Sequence, residues 1–290
     1  MFLRILSIVA PILLIVLVGW LYGRYRKIDL TDLNRLNVEL LSPLLVLAVW
    51  LERDVSLAAY APLLTATTLV VLGTGAIAWG VAQLAGYPWR AFVPAMMFTN
   101  TGNIGLPLML LAFGAAAFPG VVAIFVLVTL LHFTLGVRLL NPGASLSMLL
   151  RVPMVWALLL ALVVQLSGWH PPASLLLPAK MLGETAIPLS LFALGVRLAD
   201  FAGVRWRVGA VGALLCPLVS LLLAWPLALL FGLDAGQRGV LLVFAALPPA
   251  VLNYLFAEQY RQHPDLVAAI VVAGTLAALV FIPAALYVAL

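Results

Sequence analysis

The segment Phe92 to Phe113 is apolar and long enough to cross a lipid bilayer, yet its centre reads Thr99-Asn-Thr-Gly-Asn-Ile-Gly-Leu-Pro107. Pro107 has no backbone N–H and clashes with the preceding turn, so the pattern predicts that no intact helix runs through this stretch. In hydrocarbon, each unpaired backbone group costs several kcal/mol. Broken backbone at membrane depth survives only where protein buries it or where it lines a watery cavity. A polar, Gly- and Pro-broken span is therefore a candidate binding site. A kinked packing helix is the alternative reading, because Gly and Pro are common in membrane spans. The two Asn side chains at the break favour a site.

Composition makes the membrane setting necessary. Of 290 residues, 66% are hydrophobic and only 9% charged, with a mean hydropathy of +1.22. No soluble domain has enough interior to hide that much apolar surface. The apolar runs are long and unbroken, which predicts an all-α polytopic membrane protein and not a barrel of short alternating strands. The net charge of +5 does not point to nucleic acid, since the basic residues stand at the ends of apolar runs. A lone Cys216 excludes an internal disulfide and a Cys-based metal cluster. The first run, Ile5 to Tyr22, lacks a small-residue cleavage site and is followed by Arg24, Arg26 and Lys27, so it reads as a retained span.

A span needs about 20 mostly apolar residues. On that rule the chain divides into ten spans, at about Leu3 to Tyr22, Leu36 to Leu51, Tyr60 to Leu84, Trp89 to Gly114, Pro119 to Leu140, Met148 to Leu166, Leu176 to Leu198, Val208 to Leu230, Gly239 to Gln259 and Asp265 to Val288. The connections after odd-numbered spans carry Arg24, Arg26, Lys27, Arg35, Arg90, Arg138, Arg151, Arg197, Arg205, Arg207 and Arg261. The other side carries Arg4, Arg53, Lys180 and Arg238. Eleven against four places the odd-numbered loops in the cytoplasm of a cell inner (plasma) membrane, with both termini outside.

The two halves echo each other. Spans 2 and 7 each hold a Pro near the middle, in Ser42-Pro43-Leu44-Leu45 and Ile187-Pro188-Leu189-Ser190. Spans 4 and 9 each open with a basic residue, Arg90 or Arg238, and break about ten residues later. The second break reads Phe244-Ala-Ala-Leu-Pro-Pro-Ala-Val-Leu-Asn253. Residues 1–140 and 141–290 thus form two five-span repeats, and the odd number forces the second to be inverted. Interrupted spans at matching places in inverted halves point to a transporter site.

A helix resuming after Gly105, and another after Pro249, would each present unpaired N–H groups and a positive dipole end. If spans 4 and 9 cross, both starts face one place near the midplane, which suits an anion. The expected substrate-binding residues are Asn100, Thr101, Asn103, Gly105, Pro107, Pro248, Pro249 and Asn253, with Asn253 equally readable as a packing amide. Neither centre holds an Arg or Lys, so the expected site works by dipoles and amides alone. Glu39, Glu184 and Glu258 are the ion-coupling candidates. Lys180 and Glu184, four residues apart, read as an interfacial pair. His132 reads as a packing residue, because no second ligand stands at metal-binding spacing. No metal and no cofactor is expected. The chain also lacks the nucleophile, zinc-protease, P-loop and dinucleotide motifs, so no enzyme is expected and any uphill transport must draw on an ion gradient or membrane potential.

Several of these stretches together resemble a known family. Asn103-Ile104-Gly105-Leu106-Pro107-Leu108, Ile187-Pro188-Leu189-Ser190-Leu191 with Gly195, Leu247-Pro248-Pro249-Ala250 through Ala257-Glu258-Gln259-Tyr260, and Thr275 with Pro283 are similar, in this order, to the auxin efflux carrier family. That family includes plant PIN and PIN-like carriers and bacterial transporters of malate and related acids, and it is similar in fold to bile acid:sodium symporters. The resemblance implies crossed broken helices 4 and 9, a scaffold of spans 1, 2, 6 and 7, a transport domain of spans 3–5 and 8–10, and a homodimer. The plant carriers' long central loop is replaced here by Asn141 to Met148, so loop phosphorylation is not expected. The functional expectation is a secondary transporter that moves a small organic anion, a carboxylate, by elevator-like alternating access. The competing expectation is a non-transporting channel or sensor subunit. A channel would show polar faces along several spans, whereas polarity here gathers at two midpoints.

Overall fold

The computed structural model describes residues 1–26, 28–52, 57–145, 147, 150, 152–200 and 206–290. Lys27, Arg53, Arg151 and Arg205, used above for orientation, and Met148, the expected start of span 6, lie outside the described residues. Among the described residues the chain is helical, with a single isolated β-bridge. Helix α1 covers Phe2–Tyr25. The expected second span starts earlier than Leu36, as α2 (Thr31–Leu36), a π-helical turn (Asn37–Leu41) and α3 (Ser42–Leu51). Then come α4 (Leu57–Ala85), α5 (Trp89–Met97), a π-helical turn (Thr101–Gly105), α6 (Leu106–Leu131), a third π-helical turn (His132–Gly136) and α7 (Val137–Leu140). The second half holds α8 (Pro153–Leu166), α9 (Ala173–Asp200), α10 (Trp206–Leu230), α11 (Ala235–Ala245), α12 (Val251–Gln259) and α13 (Pro264–Ala289).

Seven of these helical stretches are long and apolar enough to cross a membrane, and α8 and α11 are shorter apolar helices. The chain is a multi-pass membrane protein. The stretch from Thr101 to Leu140 has 40 residues. At about 1.5 Å per residue it would be about 60 Å long, twice the hydrocarbon core. It is interrupted at Gly114, whose φ of 73° and ψ of −178° are open to glycine and strained for other residues. The interruption falls between the expected fourth and fifth spans.

Two of the internal prolines obey one local rule. Pro43 and Pro107 each stand second in a helix that directly follows a π-helical turn. A proline ring collides with the carbonyl four residues back and leaves it without a donor. The wider turn displaces that carbonyl, so the chain continues as helix. Pro188, by contrast, lies inside the continuous α9.

The helices pack in two groups. In one, α9 lies against α1 and α3, and α3 against α8. Here α1 and α9 touch backbone to backbone: a Cβ on Gly195 would come within 2.0 Å of the Val16 carbonyl oxygen. Close approach at small residues is how membrane helices gain packing without a hydrophobic drive between them. In the other group α10 packs on α13 and α4, and α4 on α5. The two groups meet through α6, whose neighbours include α1, α3, α9, α4 and α11.

Candidate functional site

The two broken regions meet. After α5 ends at Met97 the chain runs extended through Phe98 to Asn100, and after α11 ends it runs extended into Ala250. Thr99 and Pro249 form the antiparallel bridge. The Asn100 N–H donates to the Pro248 carbonyl at 2.7 Å, and the Ala250 N–H donates to the Phe98 carbonyl at 2.9 Å. Pro248 and Pro249 contribute no N–H, and this ladder asks none of them. Asn253 Nδ2 donates to the same Phe98 carbonyl at 2.8 Å.

The break is therefore centred on Phe98 to Asn100 and not on Gly105 to Pro107. The helix resumes at Thr101, with Asn100 as its cap: Asn100 Oδ1 accepts the Asn103 N–H at 3.2 Å. Pro107 sits within the resumed helix, where the π-helical turn accommodates it. Tertiary pairing with the 248–250 segment sets the place of the break, and the local proline does not.

Beside the crossing lies a cavity of about 190 Å3 whose wall includes Asn34, Asn37, Ser42, Thr99 to Asn103, Thr129, His132, Ser190, Arg197 and Ala250 to Leu252. Thr99, Asn100, Thr101 and His132 are buried. Thr99 Oγ1, Asn100 Nδ2, His132 Nε2 and Asn253 Oδ1 have no hydrogen-bond partner among the described residues. A buried polar atom left unpaired costs about 1–3 kcal/mol. Four such atoms gather around one crossing, which makes it the candidate site.

Of the eight expected binding residues, Asn100, Thr101 and Asn103 line this cavity. Gly105, Pro107, Pro248, Pro249 and Asn253 are not in its wall. They shape it from behind: a Cβ on Gly105 would come within 2.9 Å of Leu247, and the bridge uses Pro248 and Pro249. Asn253 has its nitrogen committed to the crossing, as its packing reading expects, and its oxygen unpaired among the described residues.

The three coupling carboxylates stand elsewhere. Glu39 is exposed and pairs with Arg35 at 3.0 Å. Glu258 is exposed and accepts from the Tyr254 hydroxyl at 3.0 Å. Glu184 lines a second cavity of about 330 Å3 with Glu52 and Lys180. There Lys180 pairs with Glu52, just past the end of α3, at 2.6 Å, a partner the i,i+4 spacing to Glu184 does not suggest. Ile187 belongs to the walls of both cavities.

Three wall residues escape the sequence reading. Arg197 counts there as a loop cation, yet it lies in α9 and lines the crossing cavity, which corrects the expectation of a site without a fixed cation. Among the described residues no carboxylate pairs with it. Its place seven residues after Ser190, two helical turns on, is the signal that could have found it. Asn37 and Ser190 are the other two. Asn37 Nδ2 donates to Ser190 Oγ at 2.7 Å, so the π-helical turn before α3 is tied to α9 in the cavity wall.

Residues 143–286 match the model of a family described as Membrane transport protein. Among curated proteins, the chain is similar to a probable auxin efflux carrier component 1c of Oryza sativa subsp. japonica, 29% identical over 142 residues, which is 45% of this chain and 23% of that protein. It is similar to auxin efflux carrier component 6 of Arabidopsis thaliana, 27% identical over 136 residues, 44% of this chain and 24% of that one. A probable auxin efflux carrier component 5b of Oryza sativa subsp. japonica is 32% identical over 120 residues, 38% and 32% of the two chains. The matched part thus spans a quarter to a third of these longer relatives. The motifs at the two breaks, the matched second half and these relatives agree: the chain is similar to membrane transport proteins and, among them, to the auxin efflux carriers.

Proposed function

We propose that this protein is a secondary transporter that binds a small organic anion at the crossing and carries it by an elevator-like alternation. The observation that carries this is the charge and polarity of the cavity wall. Arg197 is the one charged side chain among its described lining residues, and Asn100 Nδ2, unpaired among the described residues, stands beside a helix start. A hydrogen bond to a charged group contributes about 1.5–3 kcal/mol, and a partly buried helix N-terminus up to about 2 kcal/mol. An anion would also compensate a cation that otherwise faces the cavity alone.

Ten crossings in two inverted halves fit the helices if α5 with the 101–113 segment counts as one crossing and α11 with α12 as another. The packing of α1, α3, α8 and α9 supports a scaffold group, with the remaining helices moving against it. Two cavities that share Ile187 support access from alternate sides of one barrier. Both termini outside a plasma membrane, and a homodimer, complete this reading. The test is uptake of labelled small carboxylates into proteoliposomes, in competition with each acid and its methyl ester. The acid competes and the ester, having lost the charge, does not. Equal competition by the ester or by a cationic amine overturns the anion site.

A further inference from the structure

The carboxylates expected to couple transport to an ion lie away from the crossing cavity, and one titratable side chain lies in its wall without having been given a task. We propose that His132 is a proton-binding site of the carrier, so that one proton enters and leaves with each anion. The inference rests on the anion-site reading above.

His132 begins a π-helical turn between α6 and α7. Its ring lies flat on Phe98, 4.2 Å between centroids at 7°, and meets Phe256 edge-on at 5.2 Å. Gly136 leaves room for this stack, since a Cβ there would come within 2.8 Å of both the His132 and the Phe98 rings. The ring is thus held in place, it is buried, it lines the cavity, and its Nε2 has no hydrogen-bond partner among the described residues. Phe98 also provides the carbonyl that accepts from Ala250 and Asn253. Because Asn253 gives its nitrogen to that carbonyl, its unpaired Oδ1 is left as an acceptor at the crossing. A proton on the imidazole would be read directly by the residues that hold the crossing together.

The surrounding charges agree. From α9, Arg197 lines the same cavity. On α12, Tyr254 and Glu258 bond to each other, with Glu258 exposed. Arg138 on α7 is exposed, the Arg35–Glu39 pair closes on itself, and α5, α6 and the cavity wall bring no carboxylate. Two cations facing an empty cavity repel, and one anion between them compensates both. Proton and anion therefore favour each other's binding by the same factor. In the step itself a proton from the solution adds to the neutral imidazole. No other bond forms or breaks, and that proton returns to solution on the far side together with the anion.

Calorimetry of the intact protein in nanodiscs, with acetate, benzoate and succinate as probes and in two buffers of different ionisation enthalpy, measures the protons taken up on binding. The wild type should bind at least one probe with net proton uptake, and its affinity should rise by up to tenfold per unit fall in pH. His132→Gln, or His132→Asn should the first variant fail to fold, should bind that probe with neither proton uptake nor pH slope. Wild-type binding without proton uptake overturns the role of His132 and leaves the anion site standing, as does uptake that survives in a folded variant. Failure of every probe to bind the wild type overturns the anion site and this inference with it.

Discussion

At Asn100 one side chain has two separable tasks. Its oxygen caps the helix that resumes at Thr101, and its nitrogen faces no partner. Asn100→Ala should remove both, at about 0.5–2 kcal/mol for the cap. Asn100→Asp keeps an acceptor for the Asn103 N–H and replaces the donor by a negative charge. It should retain the wild-type melting behaviour in detergent and lose anion uptake more completely than the alanine variant. Comparing thermal unfolding with uptake for the two variants checks this, and an aspartate variant that transports normally removes Asn100 from the site. Asn100, Thr101 and Asn103 were legible in the sequence because polar residues in the middle of an apolar run have few other reasons to be there. Arg197 was not, because a cation near the end of a span has an ordinary reason, orientation in the bilayer, and only the assembled wall of α9 reveals another.

The helical elements were largely readable, since their lengths follow from the hydrocarbon thickness, and α1, α10 and α13 run within a few residues of expectation. The position of the first break was not, because it depends on backbone pairing between residues about 150 apart. This changes what Pro107→Ala should do. The proline lies beyond the break, so the variant should keep the extended Phe98 to Asn100 segment and transport close to the wild-type rate. Gly274 is the more sensitive position, since a Cβ there would come within 2.5 Å of Pro249 Cδ, a rigid ring at the crossing. Gly274→Ala should cost about 1–3 kcal/mol through overpacking. Gly80→Ala on α4 meets nothing within 4 Å and should be neutral or stabilising by up to about 1 kcal/mol. Melting temperatures of the two purified variants decide it, and equal values would mean that the crossing tolerates displacement of Pro249.

Over the whole molecule, the orientation can be tested with little background. Cys216 is the only cysteine, is fully buried, and donates from Sγ to the Met96 carbonyl at 3.4 Å. A cysteine introduced beyond Tyr287 should react with an impermeant maleimide added outside cells, while one at Arg24 or Arg26 should react only after permeabilisation. The reverse pattern turns the molecule over. The bridge at the crossing has a further consequence at this scale. Its two hydrogen bonds join main-chain atoms of both halves, so the two broken segments are stitched directly to each other. In the proposed carrier the bridged segments would move as one piece past the α9 side of the wall, so the pocket is taken apart and rebuilt in each cycle. Its direction would then be set by the concentrations, the proton gradient and the voltage it meets.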